Sequence, residues 1–436
     1  MTTISRTAKA MQQILLRQAD RLGWKTGFME RERKLSGSSF VTGLVSGWQN
    51  NPDVSLAGLA QAIGNAGTPI TRQALDQRFD ASAVELMREM LEASVNMALG
   101  SQAVPDSIMS RFPAVYLSDS SVVTLPNMLS DVFEGSGGYG ENASVSAMKL
   151  SVRWNVTNGA LETLEITAAT VHDRASAAHT GPVEVGSLQI KDLGYFKLTD
   201  FKALGKQGAY WLTKHKARTK IYGADGEELD LAHWLPQVIG DRIEAEVKVG
   251  ATERLPCRLI AERVPEQVVE QRHERIRETA RQNQRHVSQL KLDMAHWTIY
   301  LTNVPRNLLS ADEVFVLARY RWQIELLFKL WKSDLGIDRW RTQNPHRILC
   351  ELYGKLLSAV ITHWLLLLGC WHNPRRSLRQ AIPTIRGIAW QWANSLYRLD
   401  LLEHALHCVR RALSQCRMDR SRADPRHFEL IEQFSA

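Results

Sequence analysis

Cysteine is scarce in this chain and never paired at close spacing. The five residues (Cys257, Cys350, Cys370, Cys408 and Cys416) are odd in number and contain no CxxC. That pattern excludes a disulfide framework and a zinc ribbon, and it fits reduced thiols in a cytosolic protein. Cys370 with His372, and His404, His407 and Cys408, have a superficial look of ligand clusters, but both groups fall in stretches patterned as amphipathic helix. Long apolar runs are also lacking. The most apolar stretch, Leu356 to Trp371, is short for a membrane span and contains His363, so it reads as a buried helix. Met1 is followed by Thr, Ser, Arg and Lys without an apolar core, so neither a secretory leader nor a membrane partner is expected.

What is present is an ordinary globular composition with a basic balance. Hydrophobic residues make up 44% of the 436 and charged residues 23%, which argues against wholesale disorder and allows two or three domains. A net charge of +8 and a pI near 9.2 favour a polyanionic partner, nucleic acid first.

Residues 1–105 read as helical. Leu56, Leu59, Ala60 and Ile63 form one apolar face, Gly64 to Thr68 a turn, and Ile70, Ala74 and Leu75 a second short face, with Thr68 as cap and Pro69 at the first helical position. Two short helices joined by a glycine-containing turn are either a plain helical hairpin or a helix-turn-helix. In the second case Thr71, Arg72, Gln73 and Arg78 would meet the major groove. Arg31, Arg33 and Lys34 precede this unit as phosphate contacts or as solvated charges.

From Val115 the period becomes that of strands. VYLSDSSVVTLP is followed by the loop EGSGGYGENAS, then by two strands joined at Thr157-Asn158-Gly159, a strong hairpin signal. SLQIKD and AYWLTKHK supply a fourth and a fifth strand, with a helix from Leu198 between them. Short charged strands follow from Thr219 to Pro265. The polar helix EQVVEQRHERIRETARQNQRHVSQLK comes next, as a spacer or a phosphate-contacting surface. WTIYLTNVP returns to a strand, a cap at Ser310 opens the next helix, and the chain is helical beyond Gly336 up to a polar tail after Met418.

The stretch Ala318 to Lys332, ARYRWQIELLFKLWK, projects as a helix with Arg321, Glu325, Lys329 and Lys332 within an arc of about 80°, and apolar residues over most of the rest. Such a stripe is an i,i+4 ladder, the wall of a cleft, or a surface for a charged ligand. Two upstream carboxylates bear on the choice. Asp119 stands among apolar strand residues, and Asp192 ends the fourth strand. As strand acid, strand-end acid and late helix acid, Asp119, Asp192 and Glu325 can converge on one sheet edge. Hard oxygen ligands without His or Cys suit Mg²⁺ or Mn²⁺, and two such ions could drive an in-line phosphoryl transfer. Arg321, Lys329 and Lys332 would then hold a DNA backbone.

Arg321, three residues, Glu325, six residues, Lys332 resembles the Tyr-Arg-Glu-Lys signature of bacterial insertion-sequence transposases of the DDE class, the insertion sequence four family in particular. YLSDSSVVTLP and KDLGYFKLTDF resemble that family's two aspartate strands. The resemblance implies an α/β fold: an RNase H-like mixed-sheet catalytic core (106–215 and 292–345) with a β-rich insertion (216–291). A helical N-terminal DNA-binding domain (1–105) and a helical C-terminal region (346–436), a plausible dimer surface, would flank it. It further implies cut-and-paste transposition by a homodimer on double-stranded transposon ends and target DNA, with two Mg²⁺ or Mn²⁺ ions on Asp119, Asp192 and Glu325. Trp297 resembles the family's base-flipping tryptophan, or is a core aromatic, and Trp322 joins the expected DNA contacts. The family's signature tyrosine is replaced by Ala318, and Tyr320 points about 160° away on the helical wheel. A nuclease on the same fold and an inactive DNA-binding relative are the alternatives.

Overall fold

The computed structural model describes residues 2–31, 34–102, 108–137, 144–371 and 376–416. Arg33, His372, most of the loop after Glu134 and the tail after Met418 therefore lie outside the described residues. Among the described residues ten strands are interspersed with helices: β1 (Val115–Thr124), β2 (Ala147–Asn155), β3 (Leu161–Ala168), β4 (Leu188–Lys191), β5 (Tyr210–Lys214), β6 (Ile221–Tyr222), β7 (Glu228–Leu229), β8 (Arg242–Val249), β9 (Leu255–Arg263) and β10 (Trp297–Thr302). They make a large mixed sheet, so the chain is α/β as expected.

Two compact units divide the chain. One contains the described residues of 1–104, 119–180 and 323–428, the other those of 105–118 and 181–322. Strand β1 passes from the second into the first between Ser118 and Asp119.

In the first unit the expected hairpin is present. β2 and β3 pair antiparallel from Met148 opposite Ala168 to Trp154 opposite Leu161, and Gly159 supplies the turn with φ +80°. The helices Gly37–Asn50, Ala81–Asn96 and Pro345–Leu367 pack together. Gly354 permits the closest approach: a Cβ there would lie 2.0 Å from the Trp48 ring. Gln49 ties the ends of the chain, donating to Thr362 Oγ1 at 2.9 Å and accepting from the Trp392 indole at 2.6 Å. The N-terminal and C-terminal helical regions thus pack within one compact unit. The helix Pro345–Leu367 is long and apolar enough to cross a membrane, but its apolar window is wholly buried within this unit.

In the second unit β1, β4 and β5 are parallel, and β10 pairs antiparallel with β5 and with β9. β8, β6 and β7 continue the same sheet beyond β9. The strands of the region 216–291 therefore extend the core sheet. Phe201, Trp211, Leu235, Val249, Leu259 and Leu301 share one core. Part of the charged segment before β8 is helical (Leu231–Gln237), because Asp230 caps it through Ala232 N at 3.0 Å.

Candidate active site

In the second unit, Ser118 of β1 stands opposite Lys191 of β4, and Lys191 opposite Thr213 of β5. The next residue along β4 is Asp192, which ends the strand as its backbone carbonyl accepts from Tyr195 N at 3.0 Å in a single tight turn. Arg321 faces it, with Nε 3.7 Å from Asp192 Oδ1. That is a loose ion pair between half-exposed groups rather than a hydrogen bond, so its worth to stability is small.

Arg321 is delivered by the helix Ala311–Tyr320, whose start is firmly built. Ser310 Oγ accepts from Glu313 N, while the Glu313 carboxylate accepts from Ser310 N at 2.8 Å, a closed capping box. Arg111 adds two parallel bonds to Glu313, at 2.7 and 2.9 Å. Burial pushes the Glu313 carboxyl up, but the Arg111 and Ser310 bonds outweigh it and leave the pKa lowered.

Sequence reasoning missed Lys214 and Arg319 in this neighbourhood. Lys214 stands opposite Tyr300 of β10. It keeps an exposed surface, yet the surrounding protein desolvates its ammonium and lowers its pKa; Arg272 adds repulsion, Asp192 opposes it, and Arg321 adds more. The Tyr300 phenol is raised by burial, with Arg319, Arg321 and Arg272 pulling the other way. A strand-end lysine carries no spacing signal; only the sheet register reveals it.

The expected single helix from Ala318 to Lys332 is not formed. Trp322 N bonds to Arg319 O at 3.1 Å, an i→i+3 bond that interrupts the i→i+4 ladder. Helix resumes at Gln323–Lys329 and widens into a π-turn over Leu330–Asp334. Arg321, just past the end of one helix, and Glu325, within the next, are therefore not on one continuous helix, and a 100° projection across them does not apply. The apolar side is as expected for Ile324, Leu327, Leu330 and Trp331, all buried, whereas Leu326 and Trp322 are exposed.

In the first unit, Asp119 on β1 accepts from the backbone N of Ser120 at 2.8 Å and is half-buried. Ser120 Oγ donates to Asp173 Oδ1 at 3.0 Å, and Lys149 Nζ lies 2.8 Å from the same oxygen. Burial raises the Asp173 carboxyl, but the Lys149 and Ser120 bonds carry it below its ordinary value. Lys149 and Asp173 thus form a charged support next to Asp119 that no sequence spacing announced. Lys332 Nζ donates to Val122 O at 2.8 Å, joining the helical segment of half-buried Glu325 to the strand of Asp119. Burial lowers the Lys332 pKa, partly offset by Asp338. Lys329 is exposed.

Other expected contacts divide. Thr71, Arg72 and Gln73 are exposed at the start of the helix Arg72–Asp76, which is only one turn and is capped by Thr71. The expected cap, Thr68, is instead buried and bonded to Lys34 O and Ser39 Oγ. Arg78 is held inside, donating to Phe28 O with its guanidinium 4.1 Å from the Phe28 ring centroid. Trp297 is 4% exposed within the core of its unit, covered by Arg263 at 4.7 Å from the ring centroid. All five cysteines are free, and among the described residues no three His, Cys, Asp or Glu side chains stand together as a ready cage for a metal.

Comparison with known proteins gives these elements their context. The family described as transposase DDE domain matches residues 110–361. The transposase for insertion sequence element IS231B of Bacillus thuringiensis is 25% identical over 78% of this chain and 75% of its own length. That of IS1151 from Clostridium perfringens is 28% identical over 67% of this chain and 66% of its own. Among solved structures, a piggyBac transposase synaptic complex with hairpin DNA aligns with a TM-score of 0.46 at 9% identity, over 96% of this chain and 87% of that one. The match spans β1, β4, the helical segment of Glu325 and most of the helix that follows, and the chain belongs to the DDE transposases, enzymes that cleave and join DNA.

Proposed function

We propose that this transposase moves its element by cut-and-paste transfer, with Asp119, Asp192 and Glu325 as its catalytic acids. It would bind the terminal inverted repeats, cleave the ends and join the 3′-hydroxyls to target DNA. The observation that carries the reading is the family match over 110–361, which contains all three acids together with Arg321 and Lys332. Three carboxylates are the donor set of a hard divalent cation, Mg²⁺ or Mn²⁺. When bound, two such ions supply a Lewis acid for the leaving oxygen and a lowered pKa for the attacking hydroxyl.

The chain's own residues do the remaining work. Arg321, beside Asp192, and Lys329 and Lys332, on the Glu325 segment, are cations for the phosphates that flank the scissile bond. Asp119 is held by the backbone of Ser120, and the Lys149–Asp173 pair stiffens the strand that carries it. Exposed Thr71, Arg72, Gln73 and Trp322 are the further DNA contacts, and a homodimer would hold the two ends in synapsis.

Purified protein, duplex carrying the element's ends and Mg²⁺ test the proposal. Joined products support it. Cleavage without joining would make the protein a nuclease, and a mobility shift without cleavage would make it a DNA binder; either overturns the cut-and-paste reading.

A further inference from the structure

Within the second unit, a cavity of about 480 Å³ lies between the polar helix Glu266–Gln282, the return segment that follows it, and the loop after β5. Arg218, Arg275, Arg285, His286 and Lys291 line it, and no acidic residue does. None of the three arginines nor Lys291 makes an ion pair with another described residue. Elsewhere the same helix is tied down. Arg272 donates to Ala295 O, Trp297 O and Thr298 Oγ1 at 2.7 to 2.9 Å, and His273 Nε2 lies 3.0 Å from Leu292 O. The polar helix is thus clasped to β10 by one part of its surface while Arg275 and Thr279 face the cavity.

Two residues that are not glycine take left-handed backbone here, Arg218 with φ +71° and Gln284 with φ +50°. Such backbone is disfavoured for L-residues, and each bend sets an arginine, Arg218 itself and Arg285, onto the cavity wall. Like charges gathered in a concave site without carboxylate partners repel one another, and a bound polyanion relieves that repulsion.

We propose that this basic cavity seats a stretch of DNA sugar-phosphate backbone, apart from Asp192 and Arg321, as a sequence-independent anchor for the transposase. The inference rests on the reading of the protein as a DNA transposase. It assigns the polar helix to phosphate contact rather than to spacing. Phosphate contacts fix register and carry no base information, so the anchor strengthens binding of end and target duplexes alike.

The test is the full-length protein with Arg275→Ala and Arg285→Ala combined, and separately Lys291→Glu, in fluorescence-anisotropy titrations of unrelated-sequence and end-containing duplexes from 50 to 300 mM salt. The double variant should weaken both duplexes by a similar factor, at least about tenfold near physiological salt, and flatten the slope of log K against log salt by about 1 to 2. Lys291→Glu should weaken both further, while Arg275→Lys with Arg285→Lys should retain the wild-type slope. Unchanged affinity and slope in a double variant that melts like wild type would overturn the anchor, as would a loss confined to one duplex sequence or tighter binding of RNA than of DNA. Joining by the wild-type protein is scored separately, so failure of the anchor with joining intact leaves the transposase reading standing.

Discussion

The helix that delivers Arg321 to Asp192 depends on a carboxylate far from either residue, and this dependence is measurable. Glu313 accepts two bonds from Arg111 and one from Ser310 N, and its side chain is 7% exposed. Bonds to a charged group contribute about 1.5–3 kcal/mol each at most, and Arg111 is partly in water, so Glu313→Ala should cost about 2–4 kcal/mol rather than the full sum. Arg111→Met should cost about 2–3 kcal/mol, because it strands a buried carboxylate. The double variant should cost less than the two singles combined, with a coupling of about 1–2 kcal/mol. Urea denaturation of all four proteins at pH 7 reads these numbers. Because the Glu313 pKa is lowered on folding, its contribution is present above the unfolded glutamate value near about 4.3 and is lost as pH falls through the folded value. Glu313→Gln should therefore flatten the acid limb of the stability curve. If both single variants cost under about 0.5 kcal/mol, or the acid limb of Glu313→Gln matches wild type, the capping box and its arginine do not hold this helix.

Three further outcomes follow from other parts of the chain. Buried His363, with Nε2 2.6 Å from Gly159 O, has its pKa driven down to about 4 by burial, against that bond. The unfolded state then takes up the proton first, and stability should fall by about 3 kcal/mol as pH drops from about 6.5 to 4; a His363→Gln protein whose loss over that window equals wild type would contradict this. Gly159→Ala places a methyl 2.5 Å from Leu367 and 2.8 Å from the Trp371 ring at φ +80°. It should cost about 2–4 kcal/mol by thermal or urea melting, and a cost under about 1 kcal/mol would sink the argument. Lys332→Met removes a half-exposed bond to Val122 O, so it should cost under about 1 kcal/mol in stability while lowering end joining at least about tenfold. Equal joining by variant and wild type would remove Lys332 from the DNA-handling residues.

How much was legible in the sequence depended on whether the signal was local. The β2–β3 hairpin followed from Asn158-Gly159 between alternating runs, and Ser310 was legible as the cap of the helix after β10. β1, β4 and β5 were legible as strands because each is a short β-rich run. Long-range packing was not legible. Nothing in Gln49 or Gly354 foretells that the two ends of the chain share one core, and the Arg111–Glu313 clasp joins residues about two hundred positions apart. The break at Arg321–Trp322 was missed because both residues suit a helix, and only the Trp322 N bond to Arg319 O shows the interruption. At Thr68 the cap rule named a plausible residue, but burial against Lys34 and Ser39 won, and Thr71 took the role. Of the proposed site, Arg321 and Glu325 stand out by their spacing and Asp119 and Asp192 by their places on β-rich runs, whereas Lys149, Asp173 and Lys214 emerge only from contacts between strands.

The most direct test of the whole account is end joining by Asp119→Asn, Asp192→Asn and Glu325→Gln proteins in Mg²⁺ and in Mn²⁺, with folding and DNA binding measured in parallel. Each variant should fold and bind end-containing duplex like wild type yet join at least about a thousandfold more slowly. Joining at the wild-type rate by any one of the three would contradict the assignment of the catalytic acids.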